Sequence, residues 1–461
     1  MKRLCPMAVF LLLFSALFGL FPTLSDASPK LVRIGIEIGV QSGTVESGST
    51  VRCRDASGRV FPAGSRVNVE TSAGRTLVNG QPASLPLDFE SSAPLLWNGR
   101  AYRGTLRLVP HVRGFSVVNV LDVESYLRGV LKIEVNPAWP IEALKAQAVI
   151  ARTYALRQAG RHGSEGFDLC ATTHCQAYRG MPAEDPKLDQ AIAETRGIVV
   201  FYGPNLAQTY YFADGAGWTA DVSTVWGGGI PYLTCRPEPV NYETPHSRWK
   251  AAVTQDALQK IMDALKMPVG TVLEIRAAKR DQGNRVTLLE VKGTAGTATV
   301  KGHSFRMAAG SNLIRSTLFE VSASASGVAV QDAPSGDSAQ DVASPSKGGE
   351  DPLVTLTRQG AFSSAELMDM LLHPEKRGDY LKKALAGVAS PQTKPLSPPF
   401  TPIPKPSIAG TAPAVFEFQG RGWGHGVGLS QWGAKTLSEN GWRYEAILGH
   451  YFPGTTLRAI P

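Results

Sequence analysis

The chain has 461 residues, 43% of them hydrophobic, with a formal charge of +8 and five cysteines. That is ample core material for two domains or one elaborated domain, and beyond the N-terminus no stretch approaches about 18 uninterrupted apolar residues, so no second membrane span is expected. The positive balance speaks to solubility and non-specific attraction to anionic polymers rather than to a site, and no nucleic-acid partner is expected.

Lys2 and Arg3, an apolar stretch from about Met7 to Leu24 and the small-residue exit Ser25-Asp26-Ala27 have the layout of a secretory signal peptide over residues 1–27. Cleavage would leave a charge of +7 and place the protein in the periplasm or cell wall; an uncleaved membrane anchor is the alternative. Residues 28–118 read as a β-rich region, with alternating runs at Leu31 to Gly39, Thr50 to Cys53, Arg66 to Thr71, Leu106 to Leu108 and Phe115 to Val120, punctuated by Gly, Ser, Asn and Pro.

A mixed α/β core is expected over 119–321. Its centre is Leu121 to Gln158, where Val130, Leu131, Ile133 and Val135 read as an apolar strand carrying Glu134, broken at Asn136-Pro137 and Trp139-Pro140. A helix is predicted from about Pro140 to Gln158, with Glu142 at the positive end of its dipole. Leu144, Ala148, Ala151 and Ala155 form a narrow stripe suited to close packing on a sheet. Lys145 and Arg152, seven residues apart, project from nearly the same side. On pattern alone the plainer reading is a half-exposed strand residue and a solvated helix face; the sharper one is a cleft handling an acidic or sugar substrate.

Downstream, His162, Cys170, His174 and Cys175 fall within 14 residues. They supply a full ligand set for tetrahedral zinc, yet the spacing matches no standard finger, and adjacency of His174 and Cys175 strains ligation of one ion by both. A Cys170 to Cys175 disulfide is the alternative in an exported protein. Thr195 to Phe212 reads as a β-hairpin around Gly203-Pro204-Asn205, Trp249 to Met262 as a helix and Val272 to Val300 as a strand pair. Residues 322–413 are low-complexity and Pro-rich, an insertion with a short helical stretch at Ser363 to Leu385. Residues 414–461 complete the core. In them Gly422, Gly424, Gly426 and Gly428 alternate with Trp423, His425 and Val427, which fits neither a dinucleotide fingerprint nor a nucleophile elbow. Alternating glycine allows positive φ and close backbone approach, fixing an imidazole and an indole in place.

ESYLRGV, the E-V-N-P-x-W-P turn, EALKAQAVIARTYAL, DLCATTHCQAY, VWGG with IPYL, and GRGWGHGVGLSQWGA with ILGHYFPGT resemble, in order, the motifs of the SpoIID/LytB family of cell-wall proteins. One departure stands out: Gly215-Ala216-Gly217 replaces the family's Ser-Gly-Gly loop, and Phe212 falls where a histidine is common. The resemblance implies an α+β fold and action on peptidoglycan glycan strands, either as a lytic transglycosylase or as a non-enzymatic enhancer of a partner amidase. It implies Glu134 as general acid/base, substrate contacts at Trp139, Lys145, Arg152, Gln176, Tyr178, His425 and Gln431, and one structural zinc on Cys170, His174, Cys175 and His162. A transglycosylase can use one carboxylate, whereas hydrolysis uses two; Asp122 and Glu124 are the nearby second acids. Ile133, Val135 and a Trp139 wall would favour the protonated acid.

Overall fold

The computed structural model describes residues 30–324 and 415–460, apart from residue 240. The expected signal peptide and nearly all of the expected insertion, including Ser363 to Leu385, lie outside the described residues. The fold is α+β, and the chain divides into two compact units: Met1–Gln208 with Thr456–Pro461, and Thr209–Thr455. The division falls inside the segment expected to form one core. Among the described residues no helix is long and apolar enough to cross a membrane.

The first unit opens with ten strands, β1 (Leu31–Val40), β2 (Ser42–Arg54), β3 (Val60–Ser72), β4 (Arg75–Val78), β5 (Gln81–Ala83), β6 (Leu87–Glu90), β7 (Leu95–Trp97), β8 (Arg100–Tyr102), β9 (Thr105–His111) and β10 (Gly114–Asp122). Each predicted run lies within one of them except for its boundaries. Helices α1 (Val123–Arg128), α2 (Leu131–Glu134) and α3 (Ile141–Arg157) follow, then β11 (Leu169–Cys170), α4 (Pro186–Glu194), β12 (Ile198–Tyr202) and β13 (Asn205–Leu206). The large sheet runs β11-β1-β10-β9-β6-β2-β3-β4-β5, with β7 and β8 attached through β2. Val32, Ile34, Leu106 and Leu108 are buried in its core with period-2 alternation, whereas β10 is buried on both faces from Phe115 to Asn119.

The stretch expected to be a strand around Glu134 is instead a turn of helix. Val130, Leu131 and Val135 point inward while Ile133 is 47% exposed, and the Val135 N–H donates to the Leu131 carbonyl at 2.9 Å. That in-out order is helical, and four residues are too few for the period to show in sequence. Helix α3 matches its predicted span, with Pro140 capping it. Its stripe of Leu144, Ala148, Ala151 and Ala155 is fully buried, and the helix packs on α1, α4 and β12, helices and a short strand rather than a broad sheet.

The second unit contains β14 (Tyr211–Phe212), α5 (Val222–Val225), β15 (Trp249–Thr254), α6 (Gln255–Ala264), β16 (Val272–Arg280), β17 (Val286–Gly293), β18 (Gly296–Lys301), α7 (Gly302–Ala309), β19 (Phe319–Ser324), β20 (Val415–Gly420), β21 (Leu429–Ser430), α8 (Gln431–Glu439) and α9 (Tyr444–Tyr451). The expected helix at Trp249 to Met262 is half strand: Trp249, Ala251 and Val253 alternate inward in β15, and Thr254 caps α6 by accepting from the Ala257 N–H. The expected pair over Val272 to Val300 is a three-stranded meander, β16-β17-β18. The hairpin around Gly203 is short, since β13 pairs only at Leu206 and Asn205; the longer partner of β12 is β22 (Thr456–Ala459), which returns to the first unit.

Candidate functional site

In the first unit the chain passes from β10 into α1 at Asp122, whose carboxylate accepts from the Glu124 and Ser125 N–H groups at 3.1 Å each. This is a helix cap, and it satisfies two of the helix's open donors. Glu124 faces inward and grips Arg152 through two bonds, 2.9 Å from Nε and 2.7 Å from Nη2. Arg152 also donates to the carbonyls of Ile198 at 3.0 Å and Ile192 at 3.3 Å, and it is wholly buried. The expectation that Arg152 faces substrate is therefore corrected: seven-residue spacing aligned it with Lys145, but its head sits inside the fold between α1, α4 and β12. Lys145 lies near the surface, 2.7 Å from both Glu142 and Glu194.

Glu134 ends α2, half-buried. The chain then turns at Asn136, whose side chain accepts from the Ala138 N–H at 2.9 Å, and Trp139 packs half-buried against the core. Near the acid lies Tyr126, a buried residue that sequence reasoning passed over. Burial pushes its phenol well up, and the charge of Glu134 adds to the rise. The Tyr126 hydroxyl donates to Gln176 Oε1 at 3.2 Å, and its ring lies 5.2 Å from that of Tyr178. Tyr178 in turn donates to Asn119 Oδ1 at 2.7 Å. Gln176 and Tyr178, both buried, thus brace Tyr126 from inside the fold rather than offering a face to substrate.

The four Cys and His residues come together just before Gln176. His174 Nδ1 is 3.6 Å from Sγ of both Cys170 and Cys175, Cys175 Sγ is 3.4 Å from His162 Nε2, and all four atoms lie within 4.8 Å of one another. Tetrahedral zinc, with bonds of ~2.3 Å to sulfur and ~2.0 Å to nitrogen, sets such ligands roughly 3.6 Å apart. The residues fit the ion. Adjacency of His174 and Cys175 is no obstacle, because a turn, with the Cys175 N–H donating to the Thr172 carbonyl at 3.2 Å, aims Nδ1 and Sγ at one point. His162 Nδ1 meets Glu165 at 2.6 Å, a carboxylate behind a ligand that sets the ring's tautomer. Glu165, three residues after His162, was legible only as an i, i+3 neighbour. Arg161 Nη2 lies 3.1 Å from His174 Nε2, on the side of the ring away from the two thiols.

Residues 112–202 match the model of a family described as stage II sporulation protein. Over that stretch the chain is similar to the SpoIID family. It is 38% identical over 146 residues to an uncharacterized protein of Brachyspira hyodysenteriae, covering 32% of this chain and 40% of that one. It is 23% identical over 378 residues to the amidase enhancer of Bacillus subtilis, covering 81% and 46%, and 28% identical over 159 residues to stage II sporulation protein D of Bacillus subtilis, covering 31% and 46%. The matched stretches thus span less than half the length of these relatives.

In the second unit the family's last motif forms a loop into β21 and α8. Gly424 has φ 122° and Gly428 φ 83°; a Cβ would come within 2.6 Å of Phe212 Cβ at the first and 2.1 Å of the Tyr210 carbonyl at the second. Only glycine fits both. Between them His425 is held by accepting the Val427 N–H on Nδ1 at 3.1 Å, with the Phe212 ring 5.5 Å and the Trp226 ring 4.9 Å away. Burial and the charge of Arg306 hold its pKa down at about 3. Phe212, the departure from the family pattern, is therefore an apolar wall beside the histidine. Gln431 begins α8, buried.

Proposed function

We propose that the protein acts on the bacterial cell wall as a lytic transglycosylase, with Glu134 as the single acid and base. One observation carries this reading. Of the carboxylates available for a two-acid hydrolysis, Asp122 caps α1 and Glu124 is locked to Arg152, so neither is at hand to activate water. A one-acid route remains. Glu134 gives its proton to the glycosidic oxygen as the C–O bond breaks; its carboxylate then takes the proton of a hydroxyl on the same sugar as that oxygen closes an anhydro ring, and the acid is restored with no water consumed. Lys145 and Trp139 are the surface groups beside α2 and α3 suited to holding the strand.

Glu134→Gln keeps the size of the side chain and removes the proton. It should leave melting temperature unchanged and lower turnover of purified glycan by on the order of a hundredfold or more. Mass spectrometry should find anhydro-muramyl ends, lighter by one water than hydrolysed ends; reducing ends would overturn the mechanism. A second reading has its own support, the likeness to an amidase enhancer across 81% of this chain. It predicts no cleavage of glycan with or without stem peptides, and equal acceleration of a cell-wall amidase by wild type and Glu134→Gln.

We further propose that Cys170, His174, Cys175 and His162 hold one structural zinc, which would pin the segment carrying Gln176 and Tyr178, and that the protein is exported. Metal analysis should give one zinc per chain, and chelation should lower the melting temperature of the first unit. A loss of two hydrogens localised to Cys170 and Cys175, with no zinc, would establish the disulfide instead.

A further inference from the structure

The second unit carries an aromatic group that the proposed chemistry does not use. Trp226, at the end of α5, is 43% exposed, and a single exposed tryptophan is ordinary. This one is clamped. Its ring meets those of Tyr210 at 4.8 Å, His425 at 4.9 Å and His303 at 5.9 Å, and its Nε1–H donates to His303 Nε2 at 3.2 Å. Indole nitrogen only donates, so His303 accepts as the neutral ring with its proton on Nδ1. Burial and the charge of Arg306 support that state by holding the His303 pKa down at about 4.

The loop beyond the indole is bare. A Cβ at Gly227, Gly228 or Gly229 would meet nothing within 4 Å. Positive φ accounts for glycine at the first two, 85° and 72°, but neither conformation nor packing calls for it at Gly229. A held indole beside a run without side chains keeps part of its ring open to solvent.

We propose that Trp226 is a saccharide platform, on which the C–H face of an N-acetylated pyranose of the glycan strand stacks. The π face is negative at its centre and complements the weakly positive C–H groups of the sugar, and the ring is already ordered, so binding costs little entropy. This rests on the glycan reading above and adds a binding subsite to it.

The test uses the full chain carrying Glu134→Gln, which prevents turnover, titrated with peptide-free tetrasaccharide of the alternating N-acetylglucosamine and N-acetylmuramic acid strand. Binding is read by calorimetry and by the Trp226 indole N–H resonance, assigned from its loss in Trp226→Phe. Stacking should shift that resonance; Trp226→Ala should weaken binding on the order of tenfold, with Trp226→Phe between the two. If the parent chain binds and Trp226→Ala binds equally well, or the indole resonance does not move at saturation, the platform is wrong and the glycan reading stands. If the parent chain binds no saccharide, the glycan reading fails and takes the platform with it. Should Trp226→Ala misfold, the resonance in the parent chain decides.

Discussion

Each unit buries an arginine completely, and the two are held in different ways. In the first, Arg152 is matched by a carboxylate: Glu124 grips it with two bonds, tying α1 to α3. In the second, Arg285 turns Nη2 to the carbonyls of Gly215 at 2.8 Å and Trp218 at 2.9 Å, while Asp281 receives its backbone N–H at 2.9 Å. One charge is held by direct bonds to a carboxylate; the other bonds to backbone carbonyls, with the Asp281 and Glu238 carboxylates acting on it through space. The difference decides what each removal leaves behind. Loss of Arg152 strands a carboxylate that it bonds directly; loss of Arg285 strands two carbonyls and removes the cation that acts on Asp281 and Glu238 from farther off.

Breaking the first arrangement should give the largest effect. Arg152→Met leaves Glu124 uncompensated and should cost about 3–5 kcal/mol, seen as an early melting transition, with Glu124→Gln in the same chain restoring part of it. Arg285→Met should cost about 1–3 kcal/mol. Equal losses would mean that bonds to carbonyls, with carboxylates farther off, hold a buried charge as firmly as a direct ion pair does.

Acid should separate the units next. His303 and His425 have folded pKa values of about 4 and about 3, below the unfolded value near 6.5. The unfolded chain therefore binds more protons, and stability present above that value falls as pH drops toward 4. In the first unit Asp168 is held below its usual value by hydrogen bonds from Arg33, despite burial that pushes it up. Its contribution is full above about pH 4 and lost only below. Between pH 6.5 and 4.5 the second unit should lose on the order of 4 kcal/mol from these two histidines, with His246 and His450, also held down by burial, adding to the loss and the first unit little changed; two-stage melts followed across this window would show it. Simultaneous loss in both units would contradict the assignment.

The smallest effect is expected at Lys145. Its pairs with Glu142 and Glu194 lie near solvent, and Lys145→Ala should cost no more than about 1 kcal/mol of stability. A larger loss in glycan affinity, measured on the same variant, would separate substrate contact from scaffold.

Legibility in the sequence followed how local each cause was. Helix α3 announced itself through Pro140, Glu142 and a four-residue apolar period, and the N-terminal strands through alternation. Around Glu134 the β-branched run suggested a strand because one helical turn shows no period. The error at Trp249 had the same root: a six-residue strand and a ten-residue helix met at Thr254 without a break, and the cap signal was there to be read. Arg152 and Glu124 are 28 residues apart in sequence, so no local pattern could say that a cation placed toward one face would be claimed from across the unit. The Cys/His set was visible as a list of ligands, but its convergence depends on a turn at Thr172 and on which nitrogen of His174 faces inward.

The pairing of β22 with β12 has a consequence for how the molecule is made. Val199 and Val200 lie against Arg458 and Leu457, with the whole second unit between them in the chain. Closing a loop on the order of 250 residues costs little in equilibrium terms, since the entropy grows only as the logarithm of length. The cost is in order of events. While the chain emerges from N- to C-terminus, the edge of β12 stays open until Thr456–Ala459 arrives, a bare strand edge available to other chains. A chain that stops short of Thr456 would make that delay permanent, so the first unit depends for its completion on synthesis through a unit it does not contain.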